Sequence, residues 1–183
     1  DIIRSGATTI PEILRLAPNL QVNQTSASHY VISARGFSGN IGDQNFTNQL
    51  LVLIDGRSVY TPLYSGVYWD MQDVPPQNIE RIEVISGPGA TLWGANAVNG
   101  VINIITRNSA DTQGGVLTLG AGNLERDAAI QYGGRLSPDL TYRLHAEYSA
   151  FSAFPLANGG NAGDAWSKRT GDFRLDWTPY NDH

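Results

Sequence analysis

The chain contains no cysteine and a single lysine, Lys168, and its longest wholly apolar run is the five residues Leu50-Leu51-Val52-Leu53-Ile54. Without cysteine there is no disulfide framework, no thiolate metal site and no cysteine nucleophile. Five apolar residues fall far short of the ~20 that a membrane-crossing helix needs, and no charged and apolar leader segment opens the sequence, so insertion through a helix is excluded. Charged residues make up only 16% of the chain and the formal net charge is -5, while the basic residues other than Lys168 are all arginine and form no cluster. Binding a phosphate backbone needs concentrated positive charge, so nucleic acid is not expected as a partner. Catalytic constellations are also missing. His29, His145 and His183 stand apart, there is no Gly-x-Ser-x-Gly elbow, and the carboxylates are scattered along strands, so neither an enzyme nor a resident metal or cofactor is expected. Gly87 and Gly89 lack the third glycine of a dinucleotide loop, because Leu92 occupies its place.

What is present is a 41% hydrophobic chain with twenty glycines, enough apolar surface for a core and many tight turns. Charge does not divide it, but periodicity does. Residues up to 107 mix short apolar runs with helix signals, whereas residues beyond about 114 alternate polar and apolar, and Asn108-Ser109-Ala110-Asp111-Thr112-Gln113-Gly114 reads as a polar connector. In the first part, Thr9 with Glu12 has the spacing of a capping box for a helix ending at Pro18. Strands are predicted at residues 20–24 and 30–35. The apolar run at 50–54 reads as a fully buried strand that ends in the turn pair Asp55-Gly56. Residues 79–85 alternate Ile79, Arg81 and Glu83 against Glu80, Ile82 and Val84, a short helix follows at 90–95, and a last strand runs over 100–106. This mixture indicates a small α/β domain.

In the second part Tyr142, Leu144, Ala146 and Tyr148 share one strand face while Thr141, Arg143, His145, Glu147 and Ser149 share the other. Phe173, Leu175 and Trp177 alternate in the same way with Asp172, Arg174 and Asp176. The segments have the length of tilted strands crossing a bilayer, and Tyr148, Phe151, Trp177 and Tyr180 lie near their ends, where an interfacial girdle needs aromatic rings. Ser137-Pro138-Asp139 and residues 178–182 read as tight turns at one end, with a long Gly/Asn-rich loop over 152–168 at the other. That asymmetry suits periplasmic turns and extracellular loops, although a half-buried soluble antiparallel sheet would alternate equally well.

Two stretches carry a more specific signal: Asp55-Gly56-Arg57-Ser58-Val59-Tyr60, and the segment from Asp73-Val74-Pro75-Pro76 through Ile82-Glu83-Val84-Ile85-Ser86-Gly87-Pro88-Gly89-Ala90 and Leu92-Trp93-Gly94-Ala95-Asn96 to Gly100-Val101-Ile102-Asn103-Ile104. Together with Ser33-Ala34-Arg35-Gly36-Phe37 they closely resemble the plug domain of TonB-dependent outer-membrane receptors. The resemblance implies an α/β (α+β) plug with a small mixed sheet over residues 1–107. It also implies antiparallel strands of a truncated transmembrane β-barrel over 108–183, about four in number and too few to close a pore. It places the protein in the bacterial outer membrane, in contact with outer-membrane lipid and with the plug inside the barrel lumen. It further implies gated uptake of an extracellular ligand, by default a ferric siderophore, powered by periplasmic TonB through a segment not recognisable here. A sensing receptor, or uptake of cobalamin, another metal chelate or an oligosaccharide, is the alternative.

The resemblance also suggests residue roles. Plug arginines of the family pair with glutamates on the barrel wall, which makes Arg35 and Arg81 the candidates for locking the plug, although Ser86 stands where the family often carries a further arginine. If residues 38–47 and 58–69 form apical loops, then Tyr60, Tyr64, Tyr68 and Trp69 supply an aromatic surface for a flat, partly apolar ligand, with Gln44, Asn45 and Arg57 as polar contacts. Isolated from the rest of a barrel, the strands would expose apolar faces and unpaired edges, so self-association is expected.

Overall fold

In a computed structural model, which describes residues 2–34, 50–63, 66–72, 74–94 and 96–179, the chain divides into two units, residues 1–106 and 107–183. The first unit opens with a short helix, α1 (Ile10–Leu14), whose Ile10, Ile13 and Leu14 are buried. Thr9 takes the extended conformation of an N-cap, but its hydroxyl makes no capping bond and is buried without a partner. The predicted capping box is therefore absent. The Glu12 carboxylate, which a capping box would turn back to the Thr9 N–H, pairs instead with Arg15 at 3.0 Å. Arg15 also donates to the Val22 carbonyl at 2.8 Å, fastening α1 to the next strand.

That strand, β1 (Leu20–Gln24), forms an antiparallel pair with β2 (Tyr30–Ala34). The remaining strands of this unit are β3 (Leu50–Ile54), β4 (Arg57–Ser58), β5 (Ile79–Ser86) and β6 (Gly100–Thr106), arranged β4-β3-β6-β5 in one mixed sheet. β3 and β6 run parallel, and the other two pairs are antiparallel. The sheet is covered on both sides, as a continuous apolar run requires. Leu50, Val52, Ile102 and Ile104 pack into the main core with α1, β1 and β2, while Leu51, Leu53 and Val101 form a second cluster with Ala97. Asp55 and Gly56, with φ of 47° and 78°, join β3 to β4 in a two-residue turn of the type that needs positive φ at both central positions. The Asp55 carboxylate then accepts from the Thr106 backbone N–H and hydroxyl at 2.9 and 2.6 Å, tying the end of β6 to this turn.

Two predicted details differ. The register of β5 shifts between Ile79 and Arg81, and this irregularity breaks the simple alternation, so Ile79 lies in the core together with Ile82 and Val84 instead of sharing a face with Arg81 and Glu83. The helix after Gly89, α2 (Ala90–Trp93), stops two residues early because Gly94 adopts φ of 86°, the left-handed conformation that ends helices.

The second unit is an antiparallel meander of β7 (Gly114–Ala121), β8 (Glu125–Ser137), β9 (Leu140–Phe151) and β10 (Trp166–Trp177), in that spatial order. Its polarity is the reverse of a soluble sheet. On β9, Arg143 and His145 are 4% and 5% exposed, whereas Leu144 between them is 53% exposed, and Phe173 on β10 reaches 74%. The residues at 109–112, within the stretch read as a connector, are a 3-10 turn gripped by this sheet. Ser109 is fully buried, shares a hydrogen bond with the Thr141 hydroxyl and donates its N–H to Asp176 at 2.7 Å, and Arg143 donates to the Arg107 carbonyl at 3.0 Å. Gly133 is needed beneath this turn, since a Cβ there would collide with the Thr112 carbonyl.

Candidate functional site

In the first unit, the segment after β4 carries the residues singled out for ligand contact. Arg57 is exposed on β4, and Val59 dips into the core. Tyr60 is half-buried at the start of a small loop closed by the pairing of Thr61 with Gly66. Val67 and Trp69 are both in the hydrophobic core, and Tyr68 between them is 37% exposed while Trp69 is 4% exposed. Trp69 is therefore a core residue of this unit and does not join Tyr60 and Tyr68 on an exposed aromatic surface. Tyr68 is extended and Trp69 opens a 3-10 turn, Trp69–Met71, whose one buried residue is Trp69. Leu63, fully exposed, and Met71, 71% exposed, are further apolar residues of the stretch after β4, and no motif in the sequence singles them out. Gln44, Asn45, Tyr64 and Arg35 lie outside the described residues.

Arg81 is placed on the exposed side of β5, where its guanidinium pairs with two carboxylates of its own strand, Glu80 and Glu83. Glu83 also accepts from the Asn103 side-chain amide at 3.0 Å across to β6. The hydrogen bond from Arg81, and after it the one from Asn103, holds the Glu83 carboxyl below its ordinary value, and the same pairing raises Arg81. Arg81 thus has two anionic partners inside this unit.

In the second unit the buried polar face of the sheet presents a chain of charged and aromatic groups. The His145 ring sits with Nδ1 3.5 Å from Asp172 and Nε2 3.8 Å from Glu147, and Nε2 has no hydrogen-bond partner. Arg174 donates to Asp176 at 2.8 Å. Toward the long-loop end, Phe151 stacks on Trp166 with centroids 5.0 Å apart and planes 10° from parallel, and the Lys168 ammonium lies 5.9 Å from the Trp166 ring. Phe151, read as a girdle residue, is thereby moved to the polar face, because it has the parity of His145 and Ser149. Tyr148 and Trp177 remain on the apolar face, joined by Tyr132 and Tyr142 with rings 6.3 Å apart, and Tyr180 lies outside the described residues. These groups can bind and line a passage. They supply no nucleophile with an adjacent base.

The family model for the TonB-dependent receptor plug domain matches residues 1–101. Among curated relatives, the vitamin B12 transporter BtuB of Vibrio vulnificus is 35% identical over 67% of this chain and 19% of its own length. The ferric enterobactin receptor PirA of Pseudomonas aeruginosa is 30% identical over 78% of this chain and 21% of its own. The chain therefore spans about a fifth of the length of the curated relatives it matches. Among solved structures, the copper transporter OprC superposes with a TM-score of 0.71 over 95% of this chain and 26% of its own, at 20% identity, which bears on the fold. A plug with a mixed sheet, followed by antiparallel strands with an apolar outer face, places the chain in the family of TonB-dependent receptors.

Proposed function

We propose that residues 1–107 form the plug, and residues 108–183 the first strands, of an outer-membrane transporter that binds an extracellular ligand and passes it to the periplasm with energy from TonB. The observation that carries this reading is the inverted polarity of the meander, with Arg143, His145 and Gln131 buried and Leu117, Leu144 and Phe173 exposed. A lipid-facing strand needs apolar residues outside, and a lumen accepts charge. A ferric siderophore is the first ligand class, supported by the 30% identity to a ferric enterobactin receptor over most of the chain. Cobalamin is the second, supported by the higher identity to a vitamin B12 transporter. The ligand contacts on the plug are Arg57, Tyr60 and Tyr68, with Leu63 and Met71 as apolar neighbours, and Gln44, Asn45 and Tyr64 belong to the same proposal. On the strands, the Phe151 and Trp166 pair with Lys168 offers a flat surface beside a cation, suited to a planar anionic group.

Iron starvation of the native cells is expected to raise the receptor's abundance in their outer membranes. An unchanged level under iron starvation, with repression by added cobalamin, would move the assignment to the second class. Independently, alanine at both Tyr60 and Tyr68 in the full-length receptor is expected to weaken binding of ferric enterobactin, or of cyanocobalamin if that is the ligand, by roughly ten-fold or more. Unaltered affinity in a normally folded double variant would remove these two residues from the site.

A further inference from the structure

All the carboxylates on the strands of the meander, Glu125, Asp127, Glu147, Asp172 and Asp176, belong to its polar face. Register assigns the opposite face to Leu117 and Leu119 on β7, Ala128, Ile130 and Tyr132 on β8, Tyr142, Leu144, Ala146 and Tyr148 on β9, and Phe173, Leu175 and Trp177 on β10. Among the described residues, two charged side chains break this apolar field, and both are arginine. Arg126 pairs in register with Ala150, and Arg169 with Tyr148. Both are exposed. Arg126 has no hydrogen-bond or ion-pair partner among the described residues, and Arg169 has only the face of the Tyr148 ring, 5.7 Å away.

Their height on the sheet is informative. Both stand at the end that carries the long loop over 152–165, the extracellular end if long loops face outward and tight turns face the periplasm. From Leu140 to Ala150, β9 rises about 34 Å, and at a tilt near 45° this covers roughly 25 Å of bilayer, the height of an outer-membrane apolar band. Arg126 and Arg169 thus lie at the upper border of that band, two strands apart, which is about 10 Å across the sheet and about 7 Å along it. Two cations in water have no need of a lipid-facing position, and a solvated site would be expected to interleave both signs of charge. Two guanidiniums with no carboxylate beside them, an aromatic ring on the strand between them in register with Arg169, and the Ser167 hydroxyl on the same face match a phosphate-bearing headgroup.

Building on the outer-membrane reading above, we propose that Arg126 and Arg169, with Tyr148 and Ser167, form a docking surface for the phosphorylated glycolipid of the outer leaflet, each guanidinium meeting a headgroup phosphate. The site is on the outer wall and independent of the transported ligand.

The experiment uses the full-length receptor purified in mild detergent, with bisphosphorylated lipid A and its dephosphorylated counterpart as probes in native mass spectrometry. Wild type is expected to retain the phosphorylated lipid and release the dephosphorylated one. R126Q/R169Q is expected to reduce retention on the order of ten-fold, R126K/R169K to keep most of it, and Arg135→Gln on the polar face to leave it unchanged. Equal retention of the two lipids by wild type overturns the proposal without reliance on any variant, as does equal retention by wild type and a folded R126Q/R169Q receptor. Membrane fractionation separates this from the reading beneath it. Absence of the wild-type receptor from the outer-membrane fraction overturns both, whereas presence there with lipid retention indifferent to the arginine pair overturns the docking surface alone.

Discussion

Leu144→Arg in the full-length receptor is expected to deplete the folded, membrane-inserted form, at a cost of about 2–4 kcal/mol for an arginine near the bilayer midplane. Leu144 sits halfway between Tyr148 and Leu140, on the face whose side chains are exposed. On the proposed lipid-facing wall, a guanidinium there has no carboxylate on its own face and too much hydrocarbon above and below to reach water easily. Thr170→Arg is the matched control. Thr170 belongs to the polar face, opposite Glu147, and an added cation there gains an anionic partner, so a change below about 1 kcal/mol is expected. Heat-modifiable gel migration of outer-membrane fractions and urea titration of the receptor in lipid vesicles read both variants. If Leu144→Arg inserts normally while Thr170→Arg does not, the lipid-facing and wet faces have been assigned the wrong way round; if neither change affects the outer-membrane fraction, the meander faces no lipid on either side.

Gly100→Val is expected to be the most damaging single change in the plug. The backbones of β5 and β6 approach so closely that a Cβ on Gly100 would stand 2.7 Å from the Ile85 carbonyl oxygen and 3.4 Å from a Leu50 methyl. Neither can yield. The carbonyl belongs to the strand that pairs with β6 through Ser86 and Gly100, and Leu50 is core. Overpacking a rigid backbone contact of this kind costs roughly 2–4 kcal/mol. Amide hydrogen exchange in β5 and β6 of the full-length receptor should accelerate by about thirty-fold or more, with the barrel strands little affected. Gly115→Ala is the comparison, because its Cβ would meet nothing closer than 3.8 Å. If the valine variant exchanges like wild type, the close approach does not exist in solution.

Much of the plug was legible because its signals are local. The run at residues 50–54 could only be a strand buried on both faces, since it has no polar residue to turn toward water, and Asp55-Gly56 is among the few dipeptides that accept positive φ twice. The motifs around Gly87-Pro88-Gly89 marked the reversal that leads from β5 to α2. Misreadings arose where a second partner competed for the same group. Glu12 had Arg15 within reach, so its carboxylate left the box, and the Thr9 hydroxyl makes no capping bond of its own. At the start of β5 an irregular register exchanged the faces assigned by simple alternation, and no residue type at Glu80 or Arg81 announces it. For Trp69 the sequence offered a large aromatic beside exposed aromatics. Its burial follows from the core it shares with Val67 and Val59, into which a 3-10 turn at Trp69–Met71 directs it.

Alternation along β8, β9 and β10, the tight turns, the long loop and the family motifs were all determined by the sequence by itself, because each depends on residues within a few positions of one another. Alternation divides a strand into two faces without saying which is wet, since exchanging water for lipid on both sides leaves the pattern unchanged. Only the tertiary structure decided which face turns inward, by burying Arg143, His145 and Gln131 and leaving Leu144, Ile130 and Phe173 exposed. It also decided which aromatics share a face, through pairings such as Phe151 with Trp166 that join residues distant in the chain. The physical reason is that the environment of a face is set by what packs against it, and that contact is made by residues far away in sequence.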